Sequence, residues 1–420
     1  MKRRLWEIGK DILIVLLICS LLLLAAASLP SESVRNSPWL SSLLQPFAAL
    51  LGLSQSELAY VETALPVLDA AQPLAISVQN SAGRTTAMWD FSALDAAFES
   101  LGGLLGQALD TADGFSQVSQ TRLLTAMTGP SVYFYYGVSL PANLLASWLD
   151  ASMDGEVPAA SVCVLALKED TVTLYLAGEA CYAAATGVQA DTLSGLLEQF
   201  RPDGSQFAFE SGSKLDALSL IPGVSPTVSA VSTANPCDTR YMEQLATDLG
   251  FNPYGDGSYT DAAGNTYFAE SNCSLQITPE GTLLLNSSAA GRFEAAGDSL
   301  DSLVEEARRL VDLAASGVLG DARIYLTGLE QDGETTVCTF DYILSGIPVS
   351  IRGGHAASVT FRGKAVSQME MQVTSYTRTT ETLNLLPANT AAAILPAGSQ
   401  LALQYSDTGS GSLTAGWVQP

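Results

Sequence analysis

The chain has little charge and almost no basic charge. Of its 420 residues only 15% are charged, with 19 Lys and Arg against 43 Asp and Glu. Four basic and two acidic residues fall within the first 30, which leaves 15 basic against 41 acidic in the remainder. Such a surface repels nucleic acid, anionic lipid headgroups and anionic wall polymers, so no nucleic-acid partner is expected; its ordinary effect is solubility. Histidine is nearly missing too. The single one, His355, sits in the loop-like Arg352-Gly353-Gly354-His355. One imidazole does not make a polydentate metal site, and H-E-x-x-H is absent, so His355 is read as a turn residue and no metal is expected. P-loop, G-x-G-x-x-G and G-x-S-x-G patterns are absent as well, which removes the sequence signatures of phosphate cradles, dinucleotide folds and the serine nucleophile elbow. No cofactor is expected. Cysteine is sparse: Cys19, then Cys163, Cys181, Cys237, Cys273 and Cys338. The last five cannot all pair in one monomer and show no C-x-x-C spacing, so buried free thiols are favoured over two disulfides.

What the chain does have is one long uncharged run. Ile12–Leu29 (ILIVLLICSLLLLAAASL) contains 18 residues, about 27 Å of helix, enough to cross a hydrocarbon core. Lys2, Arg3, Arg4 and Lys10 before it favour a cytoplasmic N-terminus. The run therefore reads as a single-pass signal anchor in the cell membrane, with 1–11 as a cytoplasmic tail, 12–29 as the transmembrane helix and the bulk extracytoplasmic. A cleaved signal peptide is the alternative, because Ala25-Ala26-Ala27 offers an A-x-A site; the length favours retention.

Length and a hydrophobic content of 47% predict two or three folded units. Residues 30–56 read as a membrane-proximal connector, with some amphipathic helix around Leu40–Leu53 beside Trp39. Residues 57–223 alternate helical and strand patterns. Leu74–Val78 and Arg84–Trp89 flank the turn signal Asn80-Ser81-Ala82-Gly83. Phe91, Leu94, Phe98, Leu101, Leu105 and Leu109 recur at helical spacing. Polar residues 224–236 are expected to be a linker. The region 237–420, with a subdivision near 290–298, opens on a helix capped by Asp238 and continues through hairpins. Its helix at about Ser299–Ala315, ended by Gly317, is the clearest in the chain. Strand signals follow from Ala322 to Ser375. The whole reads as α+β, antiparallel sheets with packed helices.

No catalytic constellation emerges. Ser211-Gly-Ser-Lys214 matches S-x-x-K, but Gly212 interrupts the helix it requires and no K-T-G follows. Asp256, Ser258 and Asp261 lack the ligand spacing and closing Glu of a calcium loop, so hairpin chemistry is the expectation. A binding or regulatory role, not an enzyme, is expected.

Several segments form one ordered pattern within an architecture of basic tail, one span and large exported α+β body. They are Ser131-Val-Tyr-Phe-Tyr-Tyr136 with Leu140-Pro141 and Trp148-Leu149, then Leu249-Gly250-Phe251-Asn252-Pro253, Ser258-Tyr259-Thr260 and Ile277-Thr278-Pro279-Glu280-Gly281. Phe340-Asp341-Tyr342, Gly346-Ile347-Pro348-Val349, Leu401-Ala-Leu-Gln-Tyr405 and Gly416-Trp417 complete it. In that order they resemble one family, the YycH/YycI-type extracytoplasmic regulators of the essential cell-wall-sensing histidine kinase of Gram-positive bacteria. The first set looks like the strand–Pro–helix segment of the longer, YycH-type members, the second like the helix and hairpins that follow, and the last like the C-terminal sheet. The resemblance implies a protein that is not an enzyme and that modulates a sensor histidine kinase through membrane and extracytoplasmic contacts, with a paralogous YycI-like regulator as a second partner. The span would then present Leu13, Leu16, Leu17, Ser20, Leu24 and Ala27 to the kinase, Ser20 being its one hydrogen-bonding group. The alternative is an exported binding module for a wall polymer, peptide or small solute.

Overall fold

A computed structural model describes residues 70–153, 158–270, 272–288 and 292–419. The first sheet comprises β1 (Ala75–Asn80), β2 (Gly83–Met88), β3 (Asp113–Val118), β4 (Ser131–Pro141), β5 (Ala159–Lys168), β6 (Thr171–Ala177) and β7 (Cys181–Ala185). They pair antiparallel in the order β2-β1-β4-β5-β6-β7-β3. Between them run α1 (Phe91–Asp110), α2 (Gln120–Met127) and α3 (Ala142–Trp148), and α4 (Ala190–Leu197) follows. The expected stripe makes α1: Asp90 Oδ1 accepts from Ser92 N at 2.9 Å, and Leu94, Phe98, Leu101, Leu105 and Leu109 are buried. That stripe covers the Ile76, Val132, Phe134 and Leu165 face of the sheet. The opposite face, with Tyr133, Val164 and Tyr175, meets Leu123 and Met127 of α2 together with Phe207 and Leu220.

A short passage follows: β8 (Gln206–Phe207), α5 (Ala208–Ser211) and β9 (Leu220–Ile221). Here Arg84 of β2 is buried. Its guanidinium forks onto Glu210 at 2.7 and 3.1 Å, donates to the Met127 carbonyl at 2.9 Å and lies 4.5 Å over the Phe207 ring.

The segment expected as a linker carries a strand, β10 (Val228–Ala234), which pairs antiparallel with β20 (Ser375–Leu383). Its residues read as polar because only Val228 and Val231 turn inward. Next come α6 (Thr239–Asp248), β11 (Ser258–Thr260), β12 (Thr266–Glu270), β13 (Cys273–Ile277), β14 (Thr282–Ser287) and α7 (Leu300–Ala315). They lead into β15 (Ala322–Asp332), β16 (Thr335–Leu344), β17 (Ile347–Ile351), β18 (Ala357–Arg362) and β19 (Ala365–Gln372). After β20 come α8 (Ala388–Ile394), β21 (Ala402–Asp407) and β22 (Leu413–Val418). The second sheet runs β11-β12-β13-β14-β19-β18-β16-β17-β21-β22, with β15 also on β16; the pairing is antiparallel except β17 with β21. Asp238 caps α6 as expected, accepting from Tyr241 N at 2.8 Å, and Ser299 caps α7, accepting from Ser302 N at 3.3 Å. The inner register Phe268, Leu275, Leu285, Met369, Val359 and Cys338 is buried beneath the α7 face of Leu303, Val304, Ala307, Leu310 and Val311.

The two sheets share one continuous core and belong to one compact unit. The halves expected at 57–223 and 237–420 are thus joined by packing and not only by chain.

Candidate functional site

The join between the sheets has a polar centre. The described residues begin beside it: Ala71 is fully buried, Leu74 N donates to the Tyr135 carbonyl at 2.7 Å, and Gln72 lies between them, only 5% exposed. The Gln72 amide is used at both ends. Nε2 donates to Asp95 Oδ1 at 2.5 Å, while Oε1 accepts from Arg323 Nη1 at 2.7 Å and from the Tyr325 hydroxyl at 2.8 Å. Arg323 of β15 also forks onto Asp95 of α1, with both N–O distances 2.8 Å, and its guanidinium sits 4.0 Å over the Phe91 ring. The hydrogen bond from Arg323 is the main reason the Asp95 carboxyl titrates below the ordinary range; Gln72 adds to it and partial burial opposes it. The same hydrogen bond raises the pKa of Arg323.

The opposite wall comes from α3 and α7. Trp148 Nε1 donates to Glu305 Oε1 at 2.6 Å, and the same carboxylate holds the buried Arg308 at 3.2 and 3.4 Å. Asn143 reaches Asp301 at 3.4 Å; burial, then the neighbouring Glu305, raises the Asp301 carboxyl. These walls enclose a cavity of about 40 Å³, also lined by Tyr136, Asp312 and Phe340. That is room for about three water molecules. Tyr136 is 94% buried, by its 6% exposure, and among the described residues its hydroxyl has no hydrogen-bond partner. Burial pushes its pKa well up.

A second point of the join is steric. Gly346, at φ +80° in the β16–β17 turn, lies so close to α1 that a Cβ would sit 2.9 Å from Leu94 Cδ1 and 3.1 Å from Trp89 N. Trp89 itself has φ +57°, and its ring packs edge-on to Trp417 at 5.2 Å. A bulky residue in the left-handed region is strained, and the packing from both sheets holds it there.

Chemically the join is a latch. Arg323 is matched by Asp95 and Arg308 by Glu305, and no described side chain stands there as an activated nucleophile.

The motifs singled out in the sequence do not assemble here. His355 is 52% exposed and its Nδ1 lies 2.8 Å from Asp341 Oδ2, an oxygen that also accepts from Thr327 Oγ1 at 2.6 Å. The aspartate, not the histidine, is the centre of that set. Ser211 Oγ donates to the Ala208 carbonyl, and no hydrogen bond links it to Lys214 among the described residues. Asp261 closes its hairpin turn by accepting from Ala263 N and Asn265 N at 2.8 and 2.9 Å. Among the described residues no group of His, Cys, Asp and Glu is placed to hold a metal ion. Cys163, Cys181, Cys237, Cys273 and Cys338 are all free, and burial pushes Cys163, Cys237 and Cys338 up to about 12. The Ile12–Leu29 run, with Leu13, Leu16, Leu17, Ser20, Leu24 and Ala27, lies outside the described residues, as does the 30–56 connector. Within the described residues no helix is long and apolar enough to cross a membrane.

Gln72, Asp95, Arg323, Tyr325 and Tyr136 carry no motif. The only local hint is a buried-strand pattern containing Tyr136. Compared with family models, curated proteins and solved structures, the chain matches none.

Proposed function

We propose that the chain is a membrane-anchored extracytoplasmic regulatory protein that modulates a sensor histidine kinase through transmembrane and extracytoplasmic contacts, with a paralogous regulator as a further partner. The observation that supports this reading is that Gln72, among the described residues nearest in sequence to the apolar run, bonds at once to α1 of the first half and β15 of the second. Its neighbour Ala71 is buried in the shared core, so a displacement of this segment acts on the latch and the core together. A regulator needs such an element, because a partner biases an equilibrium only through different affinities for its two states.

The test is co-purification from membranes. The intact chain is compared with one whose Ile12–Leu29 is replaced by an unrelated apolar span. Recovery of the kinase with the intact chain alone supports transmembrane recognition through Leu13, Leu16, Leu17, Ser20, Leu24 and Ala27. Equal recovery with both chains, or with neither, overturns it. A second reading, an exported binding module, is favoured by one feature: the outer face of the second sheet.

A further inference from the structure

Among the described residues no helix packs on the face of the second sheet opposite α7 from β11 to β18, and its register aligns side chains into long rows. One row crosses eight strands: Tyr259, Tyr267, Gln276, Leu284, Glu370, Ser358, Thr339 and Gly328. Beside it runs a second, through Ser274, Asn286, Gln368 and Thr360. None of these residues is buried. At a strand spacing of about 4.8 Å the first row is about 34 Å long.

Three properties of this face select a partner. First, it carries little charge for a chain of net charge −24: Glu370 stands in the first row, and the second row continues from Thr360 through Val337 to Glu330 at its end. Second, most of its functional groups are hydroxyls and carboxamides, which both donate and accept. Third, it ends in an aromatic platform, where Tyr259 and Tyr267 stack at 4.9 Å with Tyr259 57% exposed. The second row also borders an open groove of about 700 Å³, lined by Ala269, Asn272, Ser274, Asn286, Ser367 and, at one end, Arg362. That volume is in the range of ligand-sized clefts.

We infer that this face binds an uncharged polyhydroxylated chain, that is, a neutral glycan strand. Sugar hydroxyls match a ladder of Ser, Thr, Asn and Gln side chains, directly or through water. The apolar face of a pyranose ring matches an exposed tyrosine ring. Other partners fit less well. An extended peptide adds to a sheet edge, where backbone groups are free, rather than to a face where they are paired. A membrane surface would meet too little aliphatic area, and nucleic acid would meet the carboxylates of Glu370 and Glu330 against the one guanidinium of Arg362. The inference names a ligand for the binding-module reading and is independent of the kinase.

The test is calorimetric titration of the full-length protein, in a polyoxyethylene detergent without sugar headgroups, with a hexamer of N-acetylglucosamine and separately a hexamer of glucose. Saturable binding of at least one hexamer is expected, unchanged by added salt. Tyr259→Ala and Gln368→Ala, both exposed positions, should each weaken it at least fivefold without altering the thermal transition, whereas Arg309→Ala on the far side of α7 should leave it unchanged. No binding of either hexamer at millimolar concentration overturns the proposal. So does binding indifferent to both face variants, or binding that salt abolishes. Kinase recovery does not enter this readout, so the two readings fail separately.

Discussion

Replacing Arg323 with methionine keeps the stem over Phe91 but removes three hydrogen bonds: two to Asp95 and one to Gln72. Fully buried, charge-assisted bonds of that kind are worth roughly 1.5–3 kcal/mol each. These are not fully buried. The side chains of Arg323 and Asp95 are 31% and 45% exposed, so solvent screening lowers the fork toward the roughly 1 kcal/mol of an exposed pair. The bond to buried Gln72 and the lost cation–ring contact add about 1 kcal/mol together. The expected loss is therefore about 2 kcal/mol, of which about 1 kcal/mol should appear as coupling in a double-mutant cycle with Asp95→Asn. Linkage gives the sign with pH. Because the folded-state pKa of Asp95 is lowered from 3.8, the pair contributes fully above the unfolded value and is lost as pH falls through the folded one. Urea unfolding should show a gap between wild type and Arg323→Met that is constant from about pH 8 to pH 5 and narrows below about pH 4. A coupling under about 0.3 kcal/mol refutes the latch. So does a gap that widens on acidification.

Other perturbations test the scaffold around it. Arg84→Met leaves the Glu210 carboxylate without its counter-ion, holding only the Phe207 N–H, and the Met127 carbonyl with only a long bond from Ser131, and should cost about 3 kcal/mol in chemical denaturation. Adding Glu210→Leu should recover at least half of that loss; a single-variant loss below about 1 kcal/mol would show that the pair is not buried in solution. Tyr136→Phe removes a hydroxyl without a protein partner, so its transition should stay within about 0.5 kcal/mol of wild type or rise. A larger loss would mean that the hydroxyl has a tightly held partner in the cavity. Gly346→Ala puts a methyl group against Leu94 and Trp89 at positive φ and should cost about 1–3 kcal/mol by thermal melting; an unchanged midpoint would refute the close approach. With thiols pushed up to about 12, Cys163 and Cys338 should resist iodoacetamide at pH 8 in the folded protein and react in urea. Rapid native labelling at Cys163 would contradict its burial.

The elements most legible in the sequence are those whose reason for forming is local. The α1 stripe and the Ser299-capped α7 need only helical spacing, a cap and a glycine stop. The hairpins β1–β2 and β5–β6 need only β-prone runs around a turn. The α+β class follows from these. What the sequence hides depends on pairing across the chain. β10 looks like a linker because its partner, β20, lies far downstream and its own side chains alternate only weakly between buried and exposed. β3 reads as polar because it is an edge strand with almost no inward face. The domain division drawn at 224–236 is blurred for the same reason: composition marks solvent exposure, which an edge strand shares with a linker.

The latch was illegible for a different reason. Asp95 and Arg323 are 228 positions apart, and neither stands in a pattern. With 43 acidic residues and 19 basic ones, each arginine has many possible carboxylate partners, so charge counts say nothing about which pair matters. Geometry separates them. Arg309 and Glu306 form an i,i+3 pair on one helix, a contact that adds little and links nothing. Arg323 and Asp95 join two sheets and share Gln72 with the incoming chain. The join is not polar throughout: the two sheets share one apolar core, and Gly346 lies against Leu94 across it. The latch therefore adds orientation to a join that apolar burial already holds, which is why its removal is expected to cost about 2 kcal/mol and not to part the halves.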